Sequence, residues 1–218
     1  MFMEKLLPAS ASCIAAAAIA LGGCASSGVA YVKSGEVERS ERTAFFKLPA
    51  DWGQFDEEEF LGRRAEDISE EQLDALRNSQ WVLVFDAAPE PSLDHLGPEA
   101  DHPTGFAQVR ALPPGESDYS AESLREEVFP IEQLTEEDGF TLIEDKDMAF
   151  PGDIQGSRVT FSFEVDDEVV TVDQIGAFDP NTKVVYLLVV SCNSRCYEGR
   201  RDEIDRIMKS WTVEGELR

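Results

Sequence analysis

The chain has 218 residues, 42% of them hydrophobic, and sets 44 acidic side chains against 19 basic ones for a formal net charge of −25. That apolar content supports a packed core and excludes a disordered chain, and one domain of this size buries roughly 70% of its unfolded surface. A surface so acidic repels nucleic acid and anionic lipid headgroups, and both are excluded as direct partners on charge alone. The acidity is spread over runs such as Asp56-Glu57-Glu58-Glu59, Glu136-Glu137-Asp138 and Asp166-Asp167-Glu168. These runs read as solubilising surface; the competing reading is a site for divalent cations or a basic partner. No stretch has the spaced ligands of an EF-hand loop, since Asp145 and Asp147 alternate once and then meet Phe150-Pro151.

At the N-terminus an apolar run, Ile14-Ala15-Ala16-Ala17-Ala18-Ile19-Ala20-Leu21, follows a leader in which Glu4 offsets Lys5. It is too short to span a membrane as a stable helix and reads as the core of a secretory signal. The run closes on Leu21-Gly22-Gly23-Cys24, which resembles the lipobox of bacterial lipoproteins: a branched residue, two small ones, and the cysteine that receives a diacylglyceryl group. The resemblance implies a signal peptide over 1–23 and a lipid anchor on Cys24. It also implies a membrane-held protein facing outside the cytoplasm, at the cell surface or in the periplasm. An ordinary signal with an incidental cysteine is the alternative, but it prefers a small residue where Leu21 stands. Cys13 lies inside the signal. Residues 24–42 are polar and small, with only Tyr31-Val32 able to dock, and are expected to form a flexible tether spanning roughly 20–25 Å. A single domain over 43–218 should follow.

In that domain, 43–48 reads as a strand stopped by Pro49. Ser69 opens a helix, with Gln72 completing a capping box and Leu73 and Leu76 on one face. Trp81-Val82-Leu83-Val84-Phe85 is a buried-type strand. The stretch 89–104 is rich in Pro, Gly, Asp and His and reads as a long surface loop. It holds the only two histidines, His95 and His102, each preceded by an aspartate, Asp94 and Asp101. A zinc site or a histidine base is one reading, and an ordinary polar loop the other, because adjacent side chains point apart. A strand over 106–112 follows, then an acidic helix from Ser120 with Leu124 and Val128 that ends near Pro130, and a strand over 140–143.

From 158 to 165 apolar and polar residues alternate. A two-residue turn at Asp166-Asp167 pairs Phe163 with Val170, Phe161 with Val172, Ser162 with Thr171 and Thr160 with Asp173, so that like faces like. Asp179-Pro180-Asn181-Thr182 makes the next turn. Val184-Val185-Tyr186-Leu187-Leu188-Val189-Val190 is apolar on both faces and should be a central strand. Cys192 and Cys196, an even pair left in an oxidising compartment, are expected to form a structural disulfide worth about 2 kcal/mol. C-x-x-C redox spacing is absent, as are further metal ligands nearby. Ile204, Ile207, Met208 and Trp211 recur at helical spacing and should pack a last helix on the sheet.

The expected fold is therefore α+β, a mainly antiparallel sheet flanked by helices. Leu48-Pro49-Ala50-Asp51-Trp52, the meander over 159–190 and the closing Ser210-Trp211-Thr212-Val213 together resemble the Mog1/PsbP-like lipoproteins of actinobacteria. That resemblance implies an α/β/α sandwich used for binding or accessory roles, and it carries over no site residue. No G-x-S-x-G, H-E-x-x-H, P-loop or G-x-G-x-x-G motif is present. Trp52, Trp81 and Trp211 read as core rather than as a sugar site. The expected function is a membrane-anchored binding or accessory module without enzymatic activity, catalytic residues, metal or cofactor. Its site would be a concave sheet face or the 89–104 loop, engaging a basic protein or an envelope component; divalent cations are not expected. The alternative is an envelope hydrolase using a carboxylate pair or a histidine-dependent site.

Overall fold

A computed structural model describes residues 28–64, 69–97, 100–113, 120–152, 154–179, 181 and 183–215. The expected signal peptide 1–23 and Cys24 lie outside the described residues. In chain order the elements are β1 (Val29–Lys33), β2 (Arg42–Pro49), β3 (Gly53–Phe55), α1 (Glu57–Arg64), α2 (Glu70–Ser79), β4 (Gln80–Asp86) and β5 (Thr104–Ala111). These are followed by α3 (Ala121–Arg125), β6 (Thr141–Phe150), β7 (Ile154–Val165), β8 (Glu168–Asp179), β9 (Val184–Asn193), α4 (Ser194–Lys209) and β10 (Thr212–Gly215). One sheet has the order β1-β2-β10 and the other β3-β4-β5-β9-β8-β7-β6. Every pairing is antiparallel, giving the expected α+β class.

The large sheet is covered on both faces. Ala107, Val109, Tyr186, Leu188 and Val190 share a core with Ile204, Ile207 and Met208 of α4 and with Phe46 and Leu48 of β2. On the opposite face, Phe161, Phe163, Val170 and Val172 pack with Val128, Phe129, Ile131 and Leu134, and Leu124 of α3 packs with Phe178, Val185 and Leu187. Among the described residues, the central strands of this sheet therefore leave no free concave face, one of the two expected binding sites. β9 is the fourth of seven strands and is buried on both faces, as its two-sided apolar sequence requires.

The β7–β8 hairpin has the expected register, with Phe163 opposite Val170 and Thr160 opposite Asp173. Asp166 and Asp167 take φ values of 49° and 67°, the left-handed pair that a two-residue hairpin turn needs. Helix α2 begins with the capping box Ser69/Gln72.

Three expectations are corrected. Residues 24–42 are not a tether throughout, because β1 lies within them and pairs with β2 along its length. Val32 and Val37 are buried, and Ser34 exchanges hydrogen bonds with Ala44. Backbone pairing rather than apolar periodicity orders this stretch, which is why composition misread it. The helix from Ser120 stops at Arg125; residues beyond it run through bends and short 3-10 turns that lay Phe129 5.4 Å from the Phe163 ring. Leu124 and Val128 thus reach the core at helical spacing without a continuous helix. The strand expected over 140–143 runs on to Phe150 as an exposed, charged edge, a composition that discourages pairing with another chain.

A buried ionic knot holds α4 to the sheet. Arg158 of β7 donates to both Asp173 oxygens, at 2.9 and 2.7 Å, and to Asp205 of α4 at 3.0 Å. The Tyr197 hydroxyl donates to Asp173 at 2.9 Å. Burial works against the Arg158 charge, but the bonds and attraction of Asp173 outweigh it and hold the guanidinium above its ordinary range. Burial, reinforced by the Asp173 charge, pushes the Tyr197 hydroxyl upward.

Candidate functional site

Strand β4 delivers Asp86 to the sheet end, and the chain turns away at once into the loop that reaches β5. The Asp86 side chain is 2% exposed, so its carboxylate must be satisfied by protein groups. It accepts the backbone N–H groups of Ala88 at 2.8 Å and Ser92 at 2.9 Å, and it meets His95 Nδ1 at 2.7 Å. The two backbone bonds fold residues 87–92 around the carboxylate. Ser92 then caps the 3-10 turn Leu93–His95 by accepting the Asp94 N–H at 3.1 Å. The imidazole is therefore fixed through Nδ1. In the neutral ring a carboxylate at Nδ1 selects the Nδ1–H tautomer and leaves the Nε2 lone pair free.

His95 and His102 line one open concavity of about 540 Å³, together with Asp86, Glu90, Leu96 and Asp101. Asp101 accepts a bond from Asn193 Nδ2 at 2.8 Å, and the Asn193 backbone N–H donates to Ala100 at 2.9 Å. The same Asn193 caps α4 through the Cys196 N–H. The Ala100–Asp101 side of the concavity is thus tied to the β9–α4 junction, where Cys192 and Cys196 stand at disulfide distance with Cα atoms 6.0 Å apart.

The aspartates adjacent to the histidines make their hydrogen bonds elsewhere. Asp94 pairs with Arg63 of α1, which holds its carboxyl below the ordinary range first by hydrogen bonding and then by charge. Asp86, nine residues before His95, is the group the sequence reading missed. Its signal was an aspartate ending a buried apolar strand, a position where a carboxylate needs partners from the following loop. Trp52 and Trp211 are buried in the core and Trp81 packs against it. Asp145 and Asp147 both accept from Arg125.

A carboxylate-fixed imidazole can accept a hydrogen bond, take a proton or ligate a metal through Nε2. Among the described residues, no hydroxyl or thiol is hydrogen-bonded to His95, and no three His, Cys, Asp or Glu side chains converge as metal ligands. Among them, no helix is long and apolar enough to cross a membrane.

No protein family and no curated sequence matches the chain. Among solved structures, it is similar to the cyanobacterial PsbP of Synechocystis, at 12% identity and a TM-score of 0.49 over 88% of this chain and 96% of that one. It is also similar to LpqN, described as involved in cell envelope biogenesis of Mycobacterium tuberculosis, at 14% identity and 0.46 over 85% and 91%. PA94 from Pseudomonas aeruginosa follows, at 11% and 0.42 over 81% and 93%. A PsbP thus stands among the neighbours, as the sequence resemblance anticipated. Likeness at these scores carries no argument, and the α+β architecture rests on the strand pairings above.

Proposed function

We propose that the chain is a lipid-anchored lipoprotein on the outer side of a cell membrane, acting as a binding or accessory module through the His95 concavity. The anchor would be Cys24, and the oxidised pair Cys192–Cys196 would suit the same compartment. The observation that carries the binding role is the fixed imidazole: Asp86 spends its carboxylate on orienting His95, while no nucleophile is bonded to the ring among the described residues. Such a site accepts a hydrogen-bond donor. With Glu90 and Asp101 also lining the concavity, that donor is an amine or guanidinium, as on a basic protein or a cationic envelope component.

The test is a titration of the lipidated protein in detergent with a short oligolysine peptide, read by the ring resonances of His95 and His102 and by calorimetry. Both rings should shift, and affinity should fall about tenfold in His95→Ala, the worth of one charge-assisted hydrogen bond. General attraction to an acidic surface would bind wild type and variant alike, and that result overturns the site. Cleavage of an ester or amide probe that is lost in His95→Ala would instead establish the histidine-dependent hydrolase.

A further inference from the structure

In a chain of net charge −25, three cations gather at one groove beside Gly28. The groove, about 720 Å³, is lined by Gly28, Lys47, Pro49, Arg206, Ile207 and Lys209. Two carboxylates, Asp51 and Glu203, also line it; Glu203 is paired with Arg200, and Lys209 is paired with Asp205 at 2.6 Å. Beside it the edge strand β1 presents Val29 and Tyr31, 54% and 79% exposed, with Lys47 Nζ 5.1 Å from the Tyr31 ring centroid. Cations next to an exposed aromatic and an aliphatic side chain are the makeup of a membrane-interface surface.

Covalent geometry adds the second observation. Four peptide links separate Cys24 from Gly28, and these reach at most about 14 Å when fully extended. The Ala50 N–H donates to the Gly28 carbonyl at 2.9 Å, which ties the end of that leash to the domain. A domain of this length is about 40 Å across, so a lipid on Cys24 brings only the faces around Gly28 to the bilayer. Charge then selects among them. Exposed charges act over a screening length of roughly 8–10 Å, so the groove meets the headgroups while most of the acidic surface lies beyond that range.

We infer that the groove and the outer face of β1 dock on phospholipid headgroups, with Lys47, Arg206 and Lys209 meeting their phosphates. The inference rests on the lipid anchor proposed above. It adds that the domain has one orientation on the membrane. The exclusion of anionic headgroups drawn from overall charge fails locally, at this face.

The test is lysine acylation, read by mass spectrometry, on the full lipidated chain in vesicles of phosphatidylethanolamine and phosphatidylglycerol and in detergent. Lys47 and Lys209 should label at least fivefold more slowly in vesicles, while Lys146 and Lys183 keep their detergent rates. Lys47→Glu combined with Arg206→Glu should restore labelling of Lys209 while the protein stays membrane-bound. Unprotected Lys47 and Lys209 in protein whose Cys24 peptide carries the lipid mass overturn the orientation and leave the anchor standing. Absence of that lipid mass overturns both. Protection that persists in detergent and grows with protein concentration assigns the face to a second copy of the chain, and overturns headgroup docking.

Discussion

Glu57 shows how one residue can record its surroundings. It opens α1 next to Asp56, and its Oε1 is buried with no hydrogen-bond partner among the described residues. Burial, and after it the Asp56 charge, raise its pKa from the ordinary 4.5 to about 7 against the pull of Arg77 and Gln80. An acid whose folded pKa is raised stabilises the fold fully below its unfolded pKa, and the contribution is lost as pH climbs through the folded value. The window here is pH 4.5 to 7. Glu57→Gln should therefore match wild type in thermal unfolding near pH 4 and exceed it by about 3 °C at pH 8, a modest figure because the side chain is partly solvated. A constant difference between the two proteins across that range would refute the assignment. The same scale exposes the limit of reading His95 from sequence. Its neighbours in the chain were legible, but its partner Asp86 came through a turn built from backbone N–H groups of Ala88 and Ser92, which leave no side-chain pattern.

At the scale of elements, α4 depends on more than its apolar stripe of Ile204, Ile207 and Met208. Arg158, Asp173, Tyr197 and Asp205 bind it to β7 and β8 with a charge pair almost wholly removed from water. Removing one partner of such a pair strands the other. Asp173→Ala should cost about 3–5 kcal/mol in denaturant unfolding, whereas the apolar double replacement Arg158→Met with Asp173→Leu should cost much less. A mild effect of Asp173→Ala alone would mean that Asp205 suffices to hold Arg158. The β7–β8 hairpin itself could be read directly, because period-two alternation on both strands admits only one register around a two-residue turn. Strand β1 could not. Val32 within it and Val37 beyond its end supply too few inward apolar positions to show a period, and its order comes from hydrogen bonds to β2, whose position no local pattern announces.

For the whole molecule, the charge of −25 is a self-repulsion that the folded state concentrates. Salt screens it, so raising ionic strength from about 0.02 to 0.5 M should lift the melting temperature by about 5 °C; a flat or falling melting temperature would show that the ion pairs, not the repulsion, dominate. Charge distribution matters differently from charge total. The sequence by itself determined the α+β class, the central two-faced strand and the hairpin register, since each is written in residues adjacent along the chain or repeated at a fixed period. Only the tertiary structure decided that Asp86 orients His95, that Asn193 joins the concavity to the α4 cap, and that Lys47, Arg206 and Lys209 converge beside Gly28. Those groups come from separate elements, and their meeting depends on how sheets and helices pack. The pairing of β1 with β2 likewise ties the chain to the domain from Gly28 onward, so that a lipid on Cys24, as proposed above, would leave the domain one face for the membrane.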